Sequence, residues 1–347
     1  MSSFRESKAN EIQIPVSTSW LLASCMEARG KQDLWKRQKP ELLKALRDQA
    51  IVQSVESSNR IEGVTVDANR LRPLVLGNAR AQDRSEEEIA GYGKALDWIF
   101  TSRRPIQIVP STILKMHSLA QGGMTGDAGK WKSRDNEIIE IRPDGERVVR
   151  FVPTSAKKTS GAIEGLCHEY REAAELKSLP ELLLVGSFVL DLLCIHPFRD
   201  GNGRVSRLMT TLLLEQNGFV VSKYISLERL IEESRDSYYQ SLFESSQGWH
   251  DSNHDVAPWW DFFLSIVNRA YREFSEAVES REAGPGKTAL VREVIMGMEG
   301  QFSLSEIRAQ LPSVSEQLIR RVLQQMKIDG RLKLEGHGRG ARWERLD

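Results

Sequence analysis

Residues 196 to 207 read HPFRDGNGRVSR. The run holds a histidine, a carboxylate, an asparagine between two glycines and two spaced arginines. Histidine is the side chain that exchanges a proton near neutral pH, so His196 is a candidate general base. Gly201, Asn202 and Gly203 suit a loop whose backbone N–H groups converge on an anion, and a helix starting there adds its free N–H groups and positive dipole end. Arg204 and Arg207 lie three apart on that helix, hence on one face. Guanidinium groups grip phosphate oxygens in pairs. Asp200 is a hard oxygen ligand of the kind that shares Mg²⁺ with phosphates. Together these residues suit phosphoryl or nucleotidyl transfer to a hydroxyl, with the base activating the hydroxyl and the cationic groups stabilising charge on the phosphates.

The elements around this run must hold it. Upstream, LLLVGSFVLDLLCI (182 to 195) is too short to span a bilayer and carries Asp191, so it predicts a buried helix that Pro197 stops. Helical spacing recurs at 41 to 60, 86 to 100, 111 to 120, 161 to 176, 205 to 217, 227 to 246 and 258 to 281. In the second of these, Ile89, Tyr92, Leu96 and Ile99 share one face. IIEIRPDGERVVRFV (138 to 152) flanks Pro-Asp-Gly with β-branched runs and predicts a hairpin, the one strong strand signal before residue 330.

EAGPGKT (282 to 288) breaks the helical pattern and reads as a linker. Its Gly-Lys-Thr is no phosphate loop, because the glycine needed five residues before Gly286 is Arg281. Beyond it, SLSE (303 to 306) and SVSE (313 to 316) read as capping boxes. Leu318, Ile319, Val322, Leu323 and Met326 then face inward on the second helix. RLKLE and ARWERL follow, joined by GHGRG, which gives a winged helix-turn-helix pattern. From Gly286 to Asp347 there are eleven Lys and Arg against eight Asp and Glu.

The 347 residues exceed one ordinary domain, and 40% apolar content is enough for a sizeable core. The formal net charge is zero, so a nucleic acid or anionic membrane would need a local patch. Three scattered cysteines, Cys25, Cys167 and Cys194, indicate neither a disulfide framework nor a thiolate metal site. MSSFRESKAN lacks the apolar stretch of a signal peptide. The expectation is a cytoplasmic protein without a membrane partner.

The run 196 to 207 resembles the signature of the Fic (filamentation induced by cAMP) family, H-x-F-x-[DE]-G-N-G-R-x-x-R, at every specified position. The resemblance implies His196 as general base, Phe198 as buried anchor, and Asp200 as ligand of Mg²⁺ bridging the α- and β-phosphates of ATP. It implies Gly201, Asn202 and Gly203 as the anion hole and Arg204 and Arg207 as polyphosphate ligands, Arg207 towards the γ-phosphate. Arg199 falls within the same phosphate-binding run. Members that move a terminal phosphate carry lysine where this chain has Gly203, so glycine implies transfer of AMP to a Ser, Thr or Tyr hydroxyl of a protein, the chain itself included. The hairpin lies where the family has its flap, so Ile138, Ile139, Glu140 and Ile141 would align an extended target segment. RDSYYQSL (235 to 242) resembles a family helix whose second tyrosine, Tyr239, lies by the adenine. His117 and His168 match no catalytic position and read as surface or core.

SSNRIEG (57 to 63) resembles the family's inhibitory helix, with Ser58, Glu62 and Gly63 as its marks. Glu62 would pair with Arg207 and occupy the space of the γ-phosphate.

The expected fold is mainly α: a Fic-type helical core with a small β-hairpin flap, plus a C-terminal winged helix-turn-helix domain. The expected division is 1–105, a helical region with the inhibitory motif at 58–63; 106–281, the catalytic core; and 286–347, the winged helix. The expected function is an autoinhibited protein adenylyltransferase. Two alternatives stand beside it. One is a DNA-binding regulator using Gln317, Arg320, Arg321, Gln324 and Arg339. The other is removal of AMP at the same site, with Glu62 positioning a water. DNA, through 286–347, and a second copy of the chain are further candidate partners.

Overall fold

The computed structural model describes residues 3–4, 13–38, 40–122, 126–141, 145–282, 287–298, 300–311, 314–336 and 341–346. The chain divides into two compact units, Met1–Phe274 and Ser275–Asp347. The segments expected as an N-terminal helical region and a catalytic core pack together in the first of them.

That unit is helical apart from one hairpin. Its elements are α1 (Val16–Gln38), α2 (Pro40–Ile61), α3 (Ala68–Val75), α4 (Arg84–Thr101), α5 (Pro110–Gln121), β1 (Ile138–Ile141), β2 (Arg147–Phe151), α6 (Ala156–Leu176), α7 (Glu181–Ile195), α8 (Asn202–Gln216), α9 (Leu227–Glu233), α10 (Arg235–Ser246) and the part of α11 (Ala257–Glu282) up to Phe274. The single helix expected at 227 to 246 is two, because Ser234 leaves helical geometry (φ −114°, ψ 31°) and ends α9.

α7 is the axis of the unit. Apolar residues occupy all of its faces, and 182 to 192, with Cys194 and Ile195, are buried. Each buried Leu, Val or Phe contributes about 1.5–3 kcal/mol relative to exposure. α6, α8 and α10 pack around it. Trp259 and Trp260 of α11 cross it, donating their indole N–H groups to Gly186 O at 2.7 Å and Ser187 Oγ at 3.0 Å. Its one buried acid, Asp191, accepts from Trp249 Nε1, Ser3 N and Ser3 Oγ at 2.6–2.8 Å. Burial pushes its carboxyl up to about 6, against the pull of those donors. α4 and α5 make a close pair through Gly91, where a Cβ would stand 2.0 Å from Leu119 O. α2 lies against both α4 and α8.

β1 and β2 are antiparallel, with Ile139 opposite Val149 and Ile141 opposite Arg147. The expected Pro143-Asp144 turn lies outside the described residues.

In the second unit come α12 (Lys287–Met296), β3 (Gln301–Phe302), α13 (Leu304–Gln310), α14 (Glu316–Ile328), β4 (Leu332–Glu335) and β5 (Arg342–Arg345). The sheet order is β3-β5-β4. β3 is a strand that two residues could not announce in the sequence. Ile307, Ile319, Val322, Leu323, Met326 and Leu332 share a core with Val291 and Phe302. Ser303 and Glu306 form the expected capping box. The second cap is Ser315, which accepts from Leu318 N, rather than Ser313, which lies outside the described residues. So do Arg339 and the linker residues 283–286. Arg320 is held by Glu316 at 2.7 Å, while Gln317, Arg321 and Gln324 are exposed.

Among the described residues, no helix is long and apolar enough to cross a membrane.

Candidate active site

α7 ends at Ile195 and hands the chain to His196, whose backbone is left-handed (φ 51°, ψ 62°). A non-glycine residue reaches that region at a cost of about 1–2 kcal/mol, so its surroundings must impose it. Its N–H closes on Leu192 O at 3.0 Å, and its Nδ1 faces Leu193 O at 3.2 Å. A carbonyl can only accept, so Nδ1 carries the proton and Nε2 keeps its lone pair. Burial, with the Lys132 charge nearby, pushes the imidazole down to about 4, against the opposing pull of the Leu193 bond, Glu62 and Asp200. His196 is therefore neutral and basic at Nε2 across the neutral range.

The next residues form a locked loop. Phe198 is fully buried and stacks on His117, ring centres 3.7 Å apart. Asn202 bonds Phe198 through both side-chain atoms at 2.9 Å, so its amide braces the loop while its backbone N–H stays available. Gly201 sits at φ 81°, and a Cβ there would meet Gln121 Nε2 at 2.6 Å. α8 begins at Asn202 without a side-chain cap, which leaves its first N–H groups for a ligand.

Arg207 enters from the second turn of α8. Its Nε donates to Ser58 Oγ at 2.8 Å, and its Nη2 donates to Ser58 O at 2.9 Å and Glu62 Oε1 at 2.8 Å. Burial works against its charge, yet Glu62, together with Tyr238 and Tyr92, holds the guanidinium above its usual range. Nη1 is buried without a hydrogen-bond partner. Glu62 is placed by the end of α2: Ser58 and Asn59 are buried, Gly63 turns at φ 79°, and Val64 N returns to Asn59 O at 2.9 Å. The carboxylate then presses on α8, where a Cβ at Gly203 would stand 2.1 Å from Glu62 Oε1.

Glu62, His196 and Gly203 line one cavity of about 620 Å³ with Ile138, Ile139, Glu140, Tyr238 and Tyr239. Ile141 of the expected flap set is not in its wall. Tyr239 is 45% exposed with the Arg235 guanidinium 5.6 Å over its ring, while Tyr238 is buried.

Arg204 goes elsewhere. Although three residues from Arg207, it is buried and donates to Glu88 Oε2 at 2.7 Å. Glu88 also binds Arg84 at 2.7 Å, and Arg84 reaches Asp200 at 3.4 Å. Asp200 is half-exposed and caps Gly201 N at 2.7 Å. Arg199 is exposed and does not line the cavity. Among the described residues, no cluster of three or more His, Cys, Asp or Glu side chains could hold a metal by itself.

Sequence reading missed His117 as a site residue. Its Nε2–H donates to Asp200 O at 3.0 Å while its Nδ1 accepts from Gly129 N at 2.9 Å, so it pins the loop that carries Asp200. Glu88 was equally silent: its only signal is an acid in an apolar helix face, three residues before buried Gly91.

Residues 107–214 match the model of the Fic/DOC family. The chain carries a Fic domain. A protein adenylyltransferase Fic from Nematostella vectensis is 24% identical over 233 residues, covering 64% of this chain and 48% of that one. The protein adenylyltransferase fic-1 of Caenorhabditis elegans is 27% identical over 239 residues, covering 66% and 40%. The chain thus spans about half, or less, of the length of these curated relatives. A crystal structure of a Fic family protein from Desulfovibrio desulfuricans G20 shares the fold, with a TM-score of 0.62 at 22% identity over 96% of this chain and 97% of that one. Within the matched segment lie α7, the whole run 196 to 207 and all but the last two residues of α8, while Glu62 lies outside it.

Proposed function

We propose that this chain is a protein adenylyltransferase held at rest by Glu62. The observation that carries this reading is the position of Glu62, which lines the cavity with His196 and Gly203 and bonds the buried Arg207 beside it. In the reaction, a Ser, Thr or Tyr hydroxyl oxygen of a protein attacks the α-phosphorus of ATP. His196 Nε2 takes its proton, the bond from the α-phosphorus to the α,β-bridging oxygen breaks, and pyrophosphate leaves. The first N–H groups of α8 face the phosphates, and Arg207 binds the terminal one once Glu62 withdraws. Tyr239 borders the adenine, and Ile138, Ile139 and Glu140 border the incoming target segment.

Asp200 fits a magnesium ion: it is one half-exposed carboxylate beside a helix N-terminus, and Mg²⁺ takes few protein ligands and keeps waters and phosphates. When bound, the ion neutralises phosphate charge. Arg204, locked on Glu88, supports Asp200 from 3.7 Å.

In this reading residues 286–347, within the second unit, form a winged helix-turn-helix that plays no part in the chemistry. The test incubates wild type and Glu62→Gly with ATP labelled at the α- or the γ-phosphate. Transfer to protein of the α-label alone is expected. Transfer of the γ-label would instead mean phosphoryl transfer, and no label in either variant would end the proposal.

A further inference from the structure

The loop between α5 and β1 makes a separate set of contacts to the motif. Lys132 donates its backbone N–H to Pro197 O at 2.9 Å. Its ammonium donates to Asn136 Oδ1 at 2.7 Å and to Ile195 O at 3.3 Å. Asn136 in turn donates from Nδ2 to Phe198 O at 3.1 Å. The carbonyls of residues 195, 197 and 198, on both sides of His196, are thus all held from one short loop. The Trp131 ring, 5.2 Å from that of Phe198, packs on the same corner. The loop is itself tied down, with Asp135 Oδ1 accepting the Ala156 N–H at 2.7 Å at the start of α6.

We propose that Lys132 is the positioning residue of His196: its ammonium caps the C-terminal end of α7 and fixes the left-handed turn that presents the imidazole. Ile195 is the last residue of α7, so its carbonyl has no partner within the helix. A cation is favoured at that end of the dipole. Lys132 is only 6% exposed, a poor place for an ammonium unless its hydrogen bonds hold it there. Burial lowers it to about 8, against the pull of Asp135. It therefore remains largely charged at neutral pH. That charge also bears on His196, which it pushes down, while Glu62 from the end of α2 and Asp200 from the motif loop push it up. One side chain thus sets both where the imidazole stands and how readily it takes a proton.

This inference rests on the reading of His196 as the base, and the test separates the two. Lys132→Met keeps the length of the stem and removes both donor and charge. Lys132→Arg keeps both. Each is made in the full chain, with and without Glu62→Gly. The first readout is the His196 imidazole titration by ¹⁵N NMR without nucleotide, assigned with His196→Ala. The second is the pH dependence of kcat/KM for AMP transfer in the Glu62→Gly background. Lys132→Met should raise the His196 titration and move the acid limb of kcat/KM upward. It should lower kcat by up to about 10²-fold, the effect of roughly 1 Å of misplacement, with little change in KM for ATP. Lys132→Arg should restore most of kcat. A folded Lys132→Met with unchanged titration and kcat overturns the proposal. If Lys132→Met does not fold, Lys132→Gln, which still donates to Ile195 O but lacks the charge, must show the raised titration or the proposal fails. Should Glu62→Gly label no protein, the transferase reading falls while the NMR titration still decides the role of Lys132.

Discussion

The Glu62 carboxylate and the Arg207 guanidinium meet at 2.8 Å across 145 positions of chain. The pair is asymmetric: Arg207 is nearly closed off from solvent, while Glu62 is 27% exposed at its side chain. The acid can therefore leave towards solvent, whereas the guanidinium, also bound by Ser58, stays in place. In the proposed reading, release of this contact leaves Arg207 in place for a phosphate, with its Nη1 already lacking a partner.

Glu62→Gly should accordingly accelerate AMP transfer. A charge-assisted bond from Arg207 to phosphate contributes about 1.5–3 kcal/mol, or roughly 10- to 150-fold. Arg207→Ala should be inactive with or without Glu62. Equal initial rates for wild type and Glu62→Gly over a range of ATP concentrations would show that the contact does not restrain the enzyme.

His196→Ala should lose about 10²–10⁴ in kcat, the usual contribution of a general base, and keep its affinity for ATP. Calorimetric titration with ATP against a labelling assay separates the two effects. Undiminished labelling would remove His196 from the chemistry.

The pH profile should be unusual for a histidine base. The imidazole, held at about 4 in the folded chain, stays unprotonated down to mildly acidic pH. The acid limb of kcat/KM, which reports the free enzyme, should therefore fall well below the ordinary histidine range. Glu62 raises the imidazole, so Glu62→Gly should move the limb lower still. The same depression has a sign for stability. The unfolded chain protonates first as pH drops below about 6.5, so this group removes stability between there and pH 4. An acid limb at 6.5 would show that the imidazole is not held down by its surroundings.

Gly201→Ala should lower the melting temperature. The backbone at φ 81° costs a non-glycine residue about 1–2 kcal/mol, and the new methyl would collide with Gln121. Differential scanning calorimetry checks it, and an unchanged melt would show that the loop relaxes freely.

Ending the chain after Glu282 keeps α11 whole and removes the unit whose core gathers around Ile319 and Phe302. The shortened protein should melt cooperatively and still label itself. An insoluble product would place part of the first core beyond residue 282.

The mainly helical fold and the hairpin were readable because period and turn chemistry are local signals. Ile89, Tyr92, Leu96 and Ile99 are buried where their spacing puts them. The run 196 to 207 was readable because its glycines and charges serve neither helix nor core. Arg204 shows the limit. Helical spacing set it beside Arg207, but a long side chain reaches sideways, and Glu88 on another helix decides where it goes. Lys132 and His117 were hidden for a related reason. Each acts on backbone carbonyls brought close only by the folded loop, and a carbonyl leaves no trace in residue type. Ser315 in place of Ser313 as a cap reflects two serines with equal local claims, settled by where Leu318 must turn inward.

The apolar surface of α7 also ties catalysis to the order of folding. A helix with no polar face has no stable existence in water by itself, and it persists only once α6, α8, α10 and α11 enclose it. Its last turn supports His196. A partly assembled chain thus has no aligned base, even with the strand of sequence 196 to 207 intact and Glu62 still unpaired. On the proposed function, nascent or damaged copies would be silent by lack of a core, and the carboxylate would restrain only those that have completed it.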